Sequence, residues 1–185
     1  MYLFAMEKKI VVSSLGPAEA MKKIVKKLFV FKGRSRRSEY WWGMLLIYVI
    51  LGVFSVTFPL GPASLPFFPL YVLGGIFLWK CILLPMGVRR LHDTGRSGGW
   101  AFFDFTLMLV YLLLLGMEEW KIVQAEDGME GMEAVRMMSN TLLKYVWLHI
   151  LCFLVQLILI VLLCFDSQKG ENKYGKSPKY IEVEE

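Results

Sequence analysis

Arg89, Arg90, His92, Asp93 and Arg96 fall within one short run, GVRRLHDTGRSGGW at Gly87–Trp100. Arg34, Arg36 and Arg37 lie in a second basic run, FKGRSRRSEYWW at Phe31–Trp42. Planar guanidinium forks suit phosphate oxygens, which they bind two at a time. Gly95, Gly98 and Gly99 permit tight turns, and free amides at the start of a following helix would add donors to an anion. Arg34, Arg36, Arg37, Arg89, Arg90 and Arg96 are therefore candidates to bind a phosphate or a lipid headgroup. The same charges have a plainer use. They can hold this part of the chain on one side of a membrane, with Glu39 and Asp93 as internal ion-pair partners.

His92 and Asp93 are the candidates for acid–base catalysis, because a histidine base needs a carboxylate to orient it. Neighbours on a helix point about 100° apart, so adjacency alone makes neither a catalytic dyad nor a metal-binding pair. A metal needs about three protein ligands, and the other histidine, His149, lies far along the chain near the opposite end of a span. No metal site and no cofactor is expected. The structural alternative has Asp93 or Thr94 capping a turn while His92 hydrogen-bonds within the protein. Lys80 and Asp104 pose a different question, since both lie inside apolar runs. Ionisable groups at such positions are costly and tend to be paired or functional. Counted from the motif end, their depths differ by roughly 3 Å. An intramembrane ion pair is the expectation. The alternatives are snorkelling to the interface and a proton or ion relay continued by Gln156.

The elements that must position these residues follow from hydropathy. The 185-residue chain is 56% hydrophobic, and its apolar residues come in continuous blocks near the roughly 20 residues a spanning helix needs. Four such blocks run about 41–60, 65–86, 100–116 and 145–165. They are continuous rather than alternating, which argues against a barrel. Pro59, Pro62, Pro66 and Pro69 place the start of the second helix near Pro69, after an uncharged link at Phe58–Leu65. The fold class expected is an all-α membrane protein with four transmembrane helices and an N-terminal amphipathic interfacial helix. Residues 1–40 form a basic segment, 41–165 the membrane domain and 166–185 a polar tail.

Within the basic segment, Met21, Ile24, Val25, Leu28 and Phe29 recur at helical spacing, with Lys22, Lys23, Lys26 and Lys27 between them. Such a helix suits the plane of an anionic leaflet better than nucleic acid. Ten lysines and arginines precede the first span, three lie in the Gly87–Gly99 link and four in the tail, against three in the remaining connections. Both termini are therefore expected in the cytoplasm. The acidic stretch 117–144 is expected to form a short surface helix between the last two spans. Cys81, Cys152 and Cys164 all lie in apolar runs, where they serve as small hydrophobes. The N-terminal stretch Met1–Val12 is too short and too charged for a cleavable signal.

Three segments occur in a fixed order: FKGRSRRSEYWW, then RRLHDTGRSGGW at Arg89–Trp100, then NKYGKSP at Asn172–Pro178. Together they resemble the bacterial inner-membrane family designated domain of unknown function 805, over most of the chain from about Phe29 to Pro178. The resemblance implies a helical inner-membrane protein and supplies no activity. The function expected is a non-enzymatic membrane component whose basic cytoplasmic cap binds anionic lipid headgroups or a partner protein, including a second copy. A membrane-embedded enzyme acting on a phosphorylated lipid is the first alternative. A small oligomeric channel or transporter, using Lys80, Asp104 and Gln156, is the second.

Overall fold

The computed structural model describes residues 8–12, 15–56, 68–125 and 131–184, so the link expected at Phe58–Leu65 lies outside the described residues. Helices dominate: α1 (Pro17–Lys26), α2 (Arg37–Val56), α3 (Phe68–Asp93), α4 (Gly99–Ala125), α5 (Gly131–Lys144) and α6 (Val146–Cys164). Two short strands, β1 (Lys8–Val12) and β2 (Tyr180–Glu184), pair antiparallel with Lys8 opposite Glu184 and Val12 opposite Tyr180. This ribbon adds a β element to the helical fold expected from hydropathy. Among the described residues, 71–93, 99–122 and 146–164 are each long and apolar enough to cross a membrane.

α1 starts with Pro17 at its first turn, where a missing amide costs nothing. It buries Ala20 and Ile24 and leaves Lys22, Lys23, Lys26 and Lys27 exposed. Ile24 reaches α2 at Gly43, where an added Cβ would lie 2.9 Å from the Ile24 Cδ1 and 2.1 Å from the Met86 Cε. The missing side chain at Gly43 is what lets α1 and α3 close on α2. Part of the apolar face of α1 is thus spent on the protein itself.

α3 packs against α2, α4 and α6, and α4 also packs on α5 and α6. The core near the motif is built from Ile24, Tyr40, Met86, Val88, Leu91 and Leu163; a second cluster around Tyr111, Leu112, Leu115 and Leu148 fills the far half. Elsewhere α2 and α6 expose Val49, Val53, Phe153, Ile158 and Val161. Side chains of this kind standing out along whole helices suit hydrocarbon rather than water.

The Gly87–Gly99 link is not a loop throughout. Residues 87–93 continue α3, because Val88 and Leu91 extend its buried stripe beyond the apolar block. α4 likewise continues to Ala125, past the charged residues Glu118, Glu119 and Lys121. Gly131–Lys144, within the acidic stretch, is helical, and Tyr145 alone separates α5 from α6.

Candidate functional site

The motif is positioned by the way α3 ends. Gly95 takes φ +75°, its amide donates to the His92 carbonyl at 3.0 Å, and the Arg96 amide donates to the Leu91 carbonyl at 2.9 Å. That pair of bonds is the Schellman stop, for which glycine is preferred at the left-handed position. The Thr94 hydroxyl adds a third bond, donating to the Leu91 carbonyl at 2.9 Å. The turn is therefore closed without help from the Asp93 side chain, which is free to face inward.

Asp93 is fully buried and gathers cations. Its Oδ1 accepts from Arg34 Nε at 3.0 Å, and its Oδ2 accepts from Arg90 Nη1 at 2.5 Å and from the Ser167 hydroxyl. Arg34 spends its other nitrogens on backbone carbonyls. Nη1 donates to Gly170 at 2.8 Å and Gly175 at 3.0 Å; Nη2 donates to Gln168 at 2.6 Å and Asp93 at 3.3 Å. One guanidinium thus stitches FKGRSRRSEYWW to RRLHDTGRSGGW and to the tail. Charge-assisted bonds of this kind are roughly twice as strong as neutral ones.

Arg90 serves the end of α6, donating from Nε to Leu163 at 3.0 Å and from Nη2 to the Phe165 carbonyl. A cation on the last carbonyls of a helix satisfies acceptors that have no partner inside the helix. Arg89, 1% exposed, donates from Nη1 to Glu39 Oε1 at 3.2 Å. Its Nε and Nη2 have no hydrogen-bond partner among the described residues. Of the six candidate arginines, these three with Arg34 counted are interior. Arg36 and Arg37 instead line a cleft of about 120 Å³ with Ser38, Asp166 and Lys179, and Arg96 lies 4.2 Å over the Phe165 ring.

His92 and Asp93 diverge, as helical neighbours should. The His92 Nδ1 donates to the Gly33 carbonyl at 3.2 Å, and its ring stacks on Tyr174 at 3.7 Å with 9° between planes. Asn172 Nδ2 donates to the His92 carbonyl at 3.0 Å, while Asn172 Oδ1 accepts from the Tyr174 amide at 2.9 Å. The histidine is therefore held by backbone and aromatic neighbours, not by its adjacent carboxylate. No group of three metal-ligating side chains occurs among the described residues.

The tail is fastened again further along. Lys179 Nζ lies 2.6 Å from both Asp166 oxygens, and the Tyr180 hydroxyl donates to Asp166 Oδ2 at 3.0 Å. The Lys179 ammonium pulls the Asp166 carboxyl down to about 2, and the same bond raises Lys179 above its ordinary value. Ser167, Gln168 and Gly170 carry essential acceptors and donors that residue type alone did not single out. The turn residues of NKYGKSP were the available signal.

A second polar cluster lies between the spans. Lys80 Nζ on α3 is 2.6 Å from Asp104 Oδ2 on α4 and also donates to Gln156 Oε1 on α6. Both charged side chains are buried. At the far end, the Tyr111 hydroxyl meets His149 Nε2, and Glu118 accepts from Lys144 at 2.7 Å and from the Tyr145 hydroxyl at 3.2 Å.

Comparison with known proteins adds lineage to this geometry. The chain matches a family model described as a protein of unknown function (DUF805) over residues 28–176. It is similar to inner membrane protein YhaI of Escherichia coli K12, 26% identical over 157 residues, covering 85% of this chain and 92% of that one. It is also similar to the uncharacterized protein YiiR of the same organism, 32% identical over 158 residues, covering 83% and 89%. No solved structure matches the chain. With three membrane-capable helices and inner-membrane relatives, the chain is a multi-pass inner membrane protein and belongs to the DUF805 family.

Proposed function

We propose that this protein is a non-catalytic, four-span membrane component that holds anionic lipid headgroups against a basic cytoplasmic cap. α2 supplies the fourth span: beyond Arg37 and Glu39 it runs on without charge from Tyr40 to Val56, close to the shortest stretch that crosses the hydrocarbon core, about 17 residues. Trp100 and Trp120 stand exposed toward opposite ends of α4, about 30 Å apart along the axis, as interfacial anchors would. The excess of lysine and arginine at the motif end supports a cytoplasmic cap with both termini inside.

The observation that carries the lipid reading is the surface of α1 and the turn after it. Lys22, Lys23, Lys26 and Lys27 are exposed, and beside them Val25 and Phe29 are 66% and 72% exposed. Basic and apolar side chains mixed on one exposed surface match the boundary between headgroups and acyl chains. In this reading Arg36, Arg37 and Arg96 add positive charge to the same cap. Arg34, Arg89 and Arg90 are directed to internal acceptors instead, and in this reading they hold the cap together.

The enzyme alternative would need a base beside the arginines. His92 is bound to Gly33 and Tyr174, and Asp93 to two arginines and Ser167, so the geometry favours the binding role. A partner membrane protein or a second copy remains compatible with the same basic surface.

Native mass spectrometry of the protein released from its own membrane tests this. Wild type should retain an anionic phospholipid, and a variant with Lys22, Lys23, Lys26 and Lys27 all changed to Gln should lose most of it while keeping its thermal stability. Equal retention in both would overturn the proposal.

A further inference from the structure

The polar cluster between the spans holds space as well as charge. A void of about 20 Å³ lies beside it, lined by Tyr40, Lys80, Asp104 and Gln156 together with apolar side chains and Gly87. A water molecule needs about 10–15 Å³ of such space and two to four polar partners, whereas voids that stay empty are apolar. Here the polar partners exist and are incompletely used. Two of the three Lys80 N–H donors are engaged, by Asp104 and Gln156, and one of the two Asp104 oxygens. Tyr40, 5% exposed, lines the same space. Polar groups left unmet away from bulk water are costly.

We propose that this void is a binding site for one water molecule, which bridges Lys80 and Asp104 to the hydroxyl of Tyr40. The volume of the void admits a single water, and the leucines and Phe105 around it exclude an extended polar ligand. The bridge has a definite consequence for the bundle. Lys80, Asp104 and Gln156 join α3, α4 and α6 directly, and the water adds α2 through Tyr40. A polar group on every spanning helix then meets at one point, with the donors and acceptors of a buried ion pair completed.

Solid-state NMR of the lysine-labelled protein in liposomes tests this through magnetisation transfer from water to the Lys80 ammonium. The expected result is a cross-peak from a water exchanging far more slowly than the bulk. Gly87→Ala places a methyl group at the wall of the void, where its nearest neighbour is the Ala101 Cβ at an ordinary 3.7 Å, and should abolish that peak. Tyr40→Phe removes one partner without adding bulk, and should shorten the residence of the water at least several-fold. A wild-type protein whose Lys80–Asp104 contact is present but dry overturns the proposal. So does a cross-peak indifferent to both substitutions, because the water would then lie elsewhere.

Discussion

Arg34 and Arg37 are neighbours in one basic run, yet Arg34 is buried and Arg37 exposed. Arg34 lies at the junction of three segments, with Asp93 and four backbone carbonyls as acceptors. Removing one partner from a buried, hydrogen-bonded charge pair costs about 3–5 kcal/mol, because the other charge is left uncompensated. Arg34→Ala should therefore destabilise the protein by that amount in a denaturation series in detergent. Arg37→Ala should change stability by no more than about 0.5 kcal/mol, as exposed substitutions do. Equal losses at both positions would show that the network around Asp93 contributes nothing special. At this scale the sequence was only half informative. Residue type placed arginine, aspartate and histidine in one neighbourhood, but it did not divide the interior guanidiniums from the surface ones. That division depends on which backbone carbonyls the tail brings within reach, and no spacing rule encodes them.

At the scale of elements, the turn between α3 and α4 controls what the motif can do. Gly95 is the residue that stops α3, and an added Cβ there would also meet the Gln168 side chain at 2.3 Å. A non-glycine residue in the left-handed region costs roughly 1–2 kcal/mol. Gly95→Ala should lower stability by about that much and speed hydrogen exchange at the Gln168 amide, which donates to the Asp93 carbonyl; unchanged exchange would separate the turn from the tail. The helical blocks were legible because burial in hydrocarbon demands long apolar runs, and Pro69 marked the start of α3 to within a residue. Their ends were not. α3 runs through the arginine pair because those side chains find acceptors inside the protein, so charge did not terminate the helix. The β1–β2 ribbon left no trace either, since its two strands are far apart in the sequence and no local pattern encodes their pairing.

Across the whole molecule, the fastening of the tail sets a pH range. The Asp166 pKa is depressed to about 2 by Lys179, so its contribution is complete above the ordinary aspartate value near 3.8 and fades as the pH falls through about 2. Lys179 is raised, so its share is complete below its ordinary value of 10.5 and is lost only as the pH climbs through the higher folded value. Hydrogen exchange at the Lys179 and Tyr180 amides, corrected for intrinsic rates, should accordingly show constant protection from about pH 4 to pH 10 and loosening below about pH 3. Asp166→Asn should remove the acid response. The contact is partly exposed, so this is a local loosening of the tail rather than acid unfolding of the bundle. The terminal ribbon carries a consequence of another kind. With Lys8 opposite Glu184, the segment ahead of α1 and the segment after α6 are tied to each other across nearly the whole sequence. A circular permutant that links β2 directly to β1 and opens the chain at an exposed connection between helices would keep α1–α6 beside their present neighbours.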